Sequence, residues 1–256
     1  MTTLHELALR VDEAARTATA IPQLTNDLPD LGIDDAYAVQ ALSVRRRLER
    51  GERRIGVKMG LTSRAKMIQV GVDEVIWGRL TDAMLLEEGA SLSRKRYVHP
   101  RAEPEVVFRM GRRLRGTVTA LEAMAAVEGV APAMEIIDSR YQAFRFALPD
   151  VIADNSSSSG LVIGNFTAPD IDLTNLGVVL SVDGMPRQIG STAAILGHPV
   201  RSLVAAARMV AQWGESLEPG DLVMAGGITA AHALSVGEYV QTDIEGLGRV
   251  AITIGE

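Results

Sequence analysis

The sequence predicts an α+β protein in which a helical N-terminal segment, residues 1–54, precedes a β-rich body, residues 55–256. Three observations predict this class. Short β-like runs separated by Gly, Asp and Pro follow residue 55, only two helical patterns interrupt them, and strands and helices do not alternate regularly. The last observation argues against a doubly wound parallel sheet. We expect the two parts to form one continuous unit.

The N-terminal segment contains two predicted helices. Thr3 and Glu6 have the spacing of a capping box, and apolar residues then recur at helical intervals. A second helix is predicted to begin at Asp34 or Asp35 and to end near Gly51. The Pro-containing stretch "IPQLTNDLPDLGI" connects the two helices.

Eight β-like runs and two helices make up the predicted body. One helix is "TALEAMAAV", and the other begins at Pro199, a residue well suited to a first helical position. The run Ser156–Ser159 indicates either a loop at a functional site or a plain turn. The predicted strands are "IGVKMGL", "EPEVVFRM", "APAMEIID", "GLVIGNF", "LGVVLSVDG", "DLVMAGGIT", "EYVQTDI" and "GRVAITIG".

Composition excludes several classes of function. The formal net charge of −6 argues against nucleic acid or an anionic membrane as a partner. The chain has no cysteine, which excludes disulfides, thiolate catalysis and iron–sulfur clusters. Neither a nucleophile elbow nor a phosphate-binding loop is present. Since the chain also shows no signal peptide and no bilayer-spanning run, we expect a cytoplasmic protein.

Three glutamates and a lysine are the candidate chemical groups. Glu103 and Glu105 lie two residues apart in a predicted strand, so both side chains can point to one face, with Cα atoms about 7 Å apart. Glu135 interrupts another apolar run. Oxygen ligands without Cys or His at ligand spacing suit Mg²⁺ or Mn²⁺. Lys58, in the middle of a strand, either faces these carboxylates or extends to solvent.

The spacing of the glutamates leaves an alternative open. Glu103 and Glu105 could occupy the solvent face of an edge strand, with Glu135 paired to Arg140. The residues alone favour this alternative, because E-x-E is common in strands.

Six motifs, taken together and in order, change that balance. They are "GVKMGLTS", "GVDEVIWG", "HPRAEPEVVF", "EIIDSRYQAFRF", "DVIADNSSS" and "GDLVMAGGIT". As a set they resemble the hydratase/decarboxylase branch of the fumarylacetoacetate-hydrolase-like superfamily over nearly the whole chain. The resemblance implies a mixed, partly barrel-like β-fold that binds one Mg²⁺ or Mn²⁺. It also implies that Glu103, Glu105 and Glu135 are the metal ligands and Lys58 is the active-site lysine.

Two close siblings in this branch act in the meta-cleavage degradation of aromatic compounds. One hydrates 2-hydroxypenta-2,4-dienoate, and the other makes that dienoate by decarboxylating 2-oxohex-3-enedioate. The hydratases carry an Asp two residues before the Gly that ends the "GVD…G" segment, where this chain has Ile76, followed by Trp77. We therefore expect the decarboxylase activity, with Ile76 and Trp77 forming an apolar surround for the leaving carboxylate.

The resemblance also suggests substrate contacts and partners. Ser157 in "ADNSSS", and Gly227 and Thr229 in "GGIT", are candidates for contacts with the C1 carboxylate of a 2-oxo dicarboxylate. We expect a homo-oligomer, and the branch suggests a complex with the hydratase of the pathway. The alternatives are the hydratase activity itself and a non-catalytic partner subunit of the hydratase.

Overall fold

A computed structural model describes residues 3–63, 67–68 and 74–256. The first three residues of the motif "GVDEVIWG" lie outside this part of the chain. The helices of the described part are α1 (Leu4–Thr17), α2 (Leu24–Asp27), α3 (Ile33–Glu49), α4 (Ala120–Ala125), α5 (Leu148–Ala153) and α6 (Pro199–Gln212). The strands are β1 (Arg54–Gly60), β2 (Ile76–Thr81), β3 (Leu85–Leu86), β4 (Ser91–Ser93), β5 (Pro100–Met110), β6 (Val127–Asp138), β7 (Ser158–Ile163), β8 (Gly177–Val182), β9 (Met185–Ser191), β10 (Leu222–Met224), β11 (His232–Ala233), β12 (Tyr239–Ile244) and β13 (Gly248–Gly255).

Helices α1 and α3 pack together and against the body. The predicted capping box is confirmed: the Glu6 N–H donates to Thr3 Oγ1 at 3.3 Å, and the Thr3 N–H donates to Glu6 Oε2 at 2.6 Å. Helix α3 begins one residue before the predicted start. Buried side chains of both helices, Leu7 and Val39 among them, belong to the same apolar cluster as Val57 of β1. The helical segment therefore shares its core with the strands.

The body contains two sheets. The larger has the strand order β2-β1-β10-β5-β6-β7-β3, with β11 pairing on β5, and the smaller has the order β4-β13-β12-β8-β9. The pairs β1–β10, β3–β7 and β4–β13 are parallel, and the other pairs are antiparallel. The predicted α+β fold with a mixed sheet is confirmed. Strands β5 and β6, the longest of the described part, lie inside the larger sheet and carry the glutamates.

Each predicted strand and helix overlaps an observed one, but several elements escaped prediction. All six residues of β2 are buried, so the strand shows no alternation of polar and apolar residues. Strand β9, "MPRQIGS", is mostly exposed and contains Pro and Gly. The short β3, β4 and β11, the six-residue α5, and the four-residue α2 inside the predicted connector were also missed, because they are too short to show a period.

Candidate metal centre and active-site cavity

The register of β5 on β6 brings the three glutamates together. Glu103 lies directly opposite Glu135, and Glu105 follows two residues later on the same face of β5. One carboxylate oxygen from each of the three lies within 4.8 Å of the others. Glu105 and Glu135 are fully buried, and Glu103 is 7% exposed. The three side chains thus form one compact acidic cluster in the interior.

The alternative arrangement of the glutamates is wrong. Strand β5 is an interior strand with β10 on one side and β6 on the other, so its glutamates are not on the solvent face of an edge. Arg140 pairs with Asp154, with Nε 2.5 Å from Oδ1, and Glu135 pairs with Lys58.

Burial makes the cluster electrostatically costly. Burial and the neighbouring Glu135 raise the pKa of Glu105 well above its ordinary value. Burial raises the pKa of Glu135 as well, although the Lys58 ammonium opposes that shift. Among the described residues, Glu105 Oε1 and Glu135 Oε1 have no hydrogen-bond partner. A buried carboxylate oxygen without a donor needs a cation or a proton.

Gly226 supplies a neutral donor to the cluster. The Gly226 N–H donates to Glu105 Oε2 at 2.7 Å. The φ of Gly226 is +111°, and a Cβ at this position would lie 2.0 Å from Thr62 Oγ1. Only glycine fits such a backbone and such a neighbour. Strand β10 ends at Met224 because the chain then turns to bring this amide to Glu105.

Lys58 reaches the cluster from β1. Its Nζ lies 3.0 Å from Glu135 Oε2 and donates to the Ser156 carbonyl oxygen at 2.9 Å. Burial alone would lower the pKa of Lys58, but the three carboxylates around it raise it above its ordinary value. The side chain is 5% exposed, so the solvent-directed alternative for Lys58 is wrong.

The donor set fits a hard divalent cation. Three carboxylates from two adjacent strands present oxygens alone, and two of those oxygens are otherwise unsatisfied. Mg²⁺ and Mn²⁺ prefer oxygen ligands and commonly retain open positions for water and substrate. Lys58 contributes one positive charge beside three carboxylates, and a divalent ion would offset the remaining negative charge of these described residues.

A cavity of about 1040 Å³ opens beside the cluster. Its wall includes Glu103, whereas Glu105 and Glu135 lie deeper. The basic residues of the described part that line it are Lys58, Arg101 and Arg201. Its apolar part includes Leu61, Ile76, Ile137, Phe144, Phe146, Leu196 and Ile228. The cavity thus combines cationic groups and an apolar wall beside the oxygen-rich centre.

The structure brings some of the predicted substrate-binding residues to this cavity and not others. Ile76, Ser157 and Thr229 line it. Trp77 does not: its ring is stacked on Tyr37 with centroids 5.8 Å apart, on the opposite face of β2 from Ile76. Gly227 is buried next to the lining residue Ile228 but does not itself line the cavity.

Sequence reasoning missed the two arginines. Arg101 lies two residues before Glu103 on β5, so the spacing R-x-E-x-E placed all three on one face and could have identified it. Its guanidinium lies over the Phe144 ring, 4.1 Å from the centroid. Within the described residues neither Arg101 nor Arg201 forms an ion pair. Arg201, in α6, carried no sequence signal.

Comparison with known proteins assigns the family. The model of the fumarylacetoacetate (FAA) hydrolase C-terminal family matches residues 63–255, and the chain belongs to this family.

Relatives of the chain include a decarboxylase and a hydratase. It is 54% identical over 254 residues to a 4-oxalocrotonate decarboxylase of Pseudomonas sp., covering 99% of both chains. It is 34% identical to the 2-keto-4-pentenoate hydratase of Paraburkholderia xenovorans, covering 96% of this chain and 93% of the relative. A solved structure of the 4-oxalocrotonate decarboxylase from Pseudomonas putida G7, complexed with magnesium and adipate, has a TM-score of 0.96 at 36% identity and covers 99% of both chains.

The helices of the described part do not combine the length and apolarity that crossing a bilayer requires.

Proposed function

We propose that this protein is a divalent-metal-dependent decarboxylase that converts 4-oxalocrotonate (2-oxohex-3-enedioate) to 2-hydroxypenta-2,4-dienoate and CO₂. The observation that carries the proposal is the convergence of Glu103, Glu105 and Glu135 beside a cavity that contains both Arg101 and Ile76. The decarboxylases among the relatives, at 54% identity and at 36% identity with a bound dicarboxylate, support it.

Glu103, Glu105 and Glu135 would hold Mg²⁺ or Mn²⁺. The metal-bound relative from P. putida G7 supports magnesium. When bound, the ion supplies Lewis acidity toward the oxygen of a 2-oxo acid, an effect worth several kcal/mol in the transition state. The hydrogen bond from the Gly226 N–H fixes Glu105 Oε2, and Glu105 Oε1 remains available for the ion.

The reaction breaks one carbon–carbon bond. As the C5–C6 bond breaks, its electron pair forms C4=C5, the C3=C4 pair moves to C2=C3, and the carbonyl pair moves onto the C2 oxygen. That oxygen then takes one proton, and C6 leaves as CO₂. Lys58 is the donor of the described residues that reaches the cluster from the cavity side, so we assign its ammonium a hydrogen bond to the developing C2 oxygen.

The walls of the cavity suit the two ends of such a substrate. Arg101 and Arg201 supply positive charge for a dianion without being neutralised by carboxylates of the described residues. Ile76, which is 4% exposed, gives the cavity an apolar wall at the position where the hydratases carry an Asp. A carboxylate that loses hydration there regains free energy as neutral CO₂ departs.

The hydratase is the rival activity, and a hydratase relative at 34% identity covers the chain. Ile76 offers no proton for water addition, which favours the decarboxylase. The test is direct: the purified protein is incubated with 4-oxalocrotonate and Mg²⁺ while CO₂ and the dienoate are measured. We expect CO₂ and dienoate in equal amounts. Hydration of the dienoate, without CO₂ release from 4-oxalocrotonate, would overturn the proposal.

A matched pair of variants on β6 links the activity to the cluster. Glu135→Gln removes a buried carboxylate of the cluster, whereas Glu128→Gln removes a carboxylate of the same strand that is 46% exposed and paired with Arg109. We expect Glu135→Gln to abolish turnover and Glu128→Gln to retain it. A protein that binds the hydratase but lacks turnover and metal affinity would instead be a non-catalytic subunit.

The assembly and location belong to the same proposal. We propose a homo-oligomer that works in the cytoplasm and forms a complex with the pathway hydratase. Analytical ultracentrifugation of the protein, alone and with the hydratase, tests both associations.

A further inference from the structure

Three consecutive residues other than glycine adopt the left-handed backbone conformation beside the cavity. Asn155, Ser156 and Ser157 have φ values of 50°, 52° and 59°. A side chain with Cβ is strained in this region, and runs of such residues are rare. Strained backbone of this kind persists only where surrounding contacts hold it in place, and it is found most often at functional sites. We name Asn155–Ser157 the left-handed turn.

A buried ion pair holds the start of the left-handed turn. Arg140 Nε lies 2.5 Å from Asp154 Oδ1, the Arg140 N–H donates to Asp154 Oδ2 at 2.9 Å, and Arg140 Nη2 donates to the Asp154 carbonyl at 2.7 Å. Arg140 Nη1 also donates to Ser159 Oγ, just beyond the turn. Arg140 is 3% exposed and Asp154 is fully buried. One guanidinium thus fixes the chain on both sides of the turn.

Side chains of the turn dock it on β2. The Asn155 amide pairs with the backbone of Arg79 in both directions: its Oδ1 accepts from the Arg79 N–H, and its Nδ2 donates to the Arg79 carbonyl, each at 2.8 Å. Ser156 Oγ donates to the Trp77 carbonyl at 2.7 Å. Between them, a Cβ on Gly78 would lie 2.5 Å from the Asn155 carbonyl oxygen. The glycine allows the turn to approach the strand this closely.

This docking fixes the direction in which the Ser156 carbonyl points. The Ser156 carbonyl accepts from Lys58 Nζ at 2.9 Å, and Glu135 Oε2 lies 3.0 Å from the same Nζ. A lysine side chain has four rotatable bonds, so one ion pair alone leaves its Nζ loosely placed. A second, fixed acceptor restricts that motion and leaves the remaining donor for the cavity.

We propose that the left-handed turn is a device for positioning the Lys58 ammonium, and that Asn155 is its positioning residue. Asn155 holds the turn against β2 so that the Ser156 carbonyl stays directed at Nζ. The inference rests on the proposed role of Lys58 toward the C2 oxygen.

Steady-state kinetics of Asn155→Ala and Asn155→Gly test the inference with 4-oxalocrotonate and saturating Mg²⁺. A misplaced group costs up to about 100-fold in rate, so we expect kcat of Asn155→Ala to fall about 10- to 100-fold with little change in KM. Asn155→Gly should keep more kcat than Asn155→Ala, because glycine adopts positive φ without strain. This is the reverse of the usual ranking of the two residues. Equal kcat values for the two variants, or wild-type kcat in both, would overturn the inference.

A second readout does not need turnover. The chain has three lysines, Lys58, Lys66 and Lys95, so amine acetylation followed by mass spectrometry resolves each of them. The Lys95 side chain is 76% exposed and serves as the internal standard. We expect Lys58 to be acetylated faster, relative to Lys95, in Asn155→Ala than in the wild type. An unchanged ratio contradicts the positioning role.

Two controls separate the outcomes. Glu128→Gln removes a partly exposed carboxylate of β6 that pairs with Arg109, and it should leave both kcat and the acetylation ratio at wild-type values. If Asn155→Ala does not fold, Asn155→Asp, which keeps the acceptor for the Arg79 N–H and loses the Nδ2 donor, replaces it in both assays. If the wild-type protein releases no CO₂, the proposed function fails, while the acetylation ratio still decides whether the turn positions Lys58.

Discussion

Glu103 and Glu135 stand directly opposite each other in the antiparallel pair of β5 and β6. Like charges that face each other across two strands are destabilising, and here one is fully buried and the other is 7% exposed. With Glu105 on the same face, the folded chain concentrates three carboxylates where Lys58 is the single lysine counter-charge among the described residues. Such an arrangement is stable when a cation occupies it, and the first predictions concern that cation.

Replacing Glu105 by Gln should stabilise the metal-free protein. The substitution removes a buried charge, and the Gly226 N–H still finds an amide oxygen to donate to. In EDTA we expect a higher Tm, at about 2–4 °C for each kcal/mol gained. Differential scanning calorimetry in EDTA and in Mg²⁺ measures it. The variant should also lose the rise in Tm that Mg²⁺ causes in the wild type, and Glu128→Gln should behave as the wild type. A lower Tm in EDTA would show that the cluster is not under electrostatic strain.

Metal removal and return should reversibly control both activity and stability. A ligand that binds only the folded state at about 100 times its Kd stabilises that state by about 2.7 kcal/mol. We expect EDTA to abolish CO₂ release, and Mg²⁺ or Mn²⁺ to restore it and to raise Tm. The same titration of Glu135→Gln is the control and should show neither effect. Full activity after exhaustive chelation would contradict a metal-dependent reaction.

Ile76→Asp should lower decarboxylation. The new carboxylate would repel the leaving carboxylate, and it would bring water to a wall that is apolar in the wild type. We expect kcat/KM for 4-oxalocrotonate to fall about 10-fold or more, which corresponds to about 1.4 kcal/mol in the barrier. We also expect the variant to hydrate 2-hydroxypenta-2,4-dienoate, which is monitored as a loss of the diene absorbance. Ile76→Leu keeps an apolar side chain and should retain activity. If neither rate changes in Ile76→Asp, this residue does not decide between the two reactions.

Arg101→Met should weaken the binding of dicarboxylates. A hydrogen bond to a charged group contributes about 1.5–3 kcal/mol, so we expect KM for 4-oxalocrotonate to rise about 10- to 150-fold. Inhibition by adipate should weaken by a similar factor, whereas weak inhibition by hexanoate should change little. Arg187→Met, on the exposed face of β9, is the matched control. Equal losses for adipate and hexanoate would mean that Arg101 contributes packing against Phe144 and not recognition of a dianion.

Asp12→Asn should destabilise the protein in a pH-dependent way. Asp12 is 2% exposed and bonded to Arg46 Nε at 2.8 Å and to Arg50 Nη2 at 2.6 Å. Burial alone would raise the pKa of Asp12, but the bonds from Arg50 and Arg46 outweigh it and hold the pKa below its ordinary value. This stabilisation is therefore present above the unfolded pKa of about 3.9, and it is lost as the pH falls through the lower folded pKa.

Urea denaturation of wild type and Asp12→Asn measures that difference. At pH 7 we expect the variant to lose about 1–3 kcal/mol of unfolding free energy, since both arginines are partly exposed. The gap should narrow as the pH is lowered below about 3.9, where Asp12 of the unfolded chain becomes protonated before Asp12 of the folded chain does. A gap that stays constant across this range would assign the loss to packing and not to charge.

Much of the fold could be read from the sequence because its signals are local. The capping box of Thr3 and Glu6, the apolar periods of the helices and the runs that form β5 and β6 depend on neighbouring residues, and all are confirmed. Strand β2 was missed because burial on both faces removes the period from its sequence.

The candidate site, like the fold, could be predicted only in part from the sequence. The available chemical groups can be read directly from the residues: three carboxylates in apolar strands, one mid-strand lysine, no thiol, and Ile76 in place of an acid. Which of these groups meet depends on the folded chain. Strand register, the position of β10 between β1 and β5, and the face to which each side chain of β2 points are set by contacts between residues far apart in the chain. That is why Lys58 reaches Glu135, why Trp77 packs on Tyr37 away from the cavity, and why Arg140 holds the turn at Asp154.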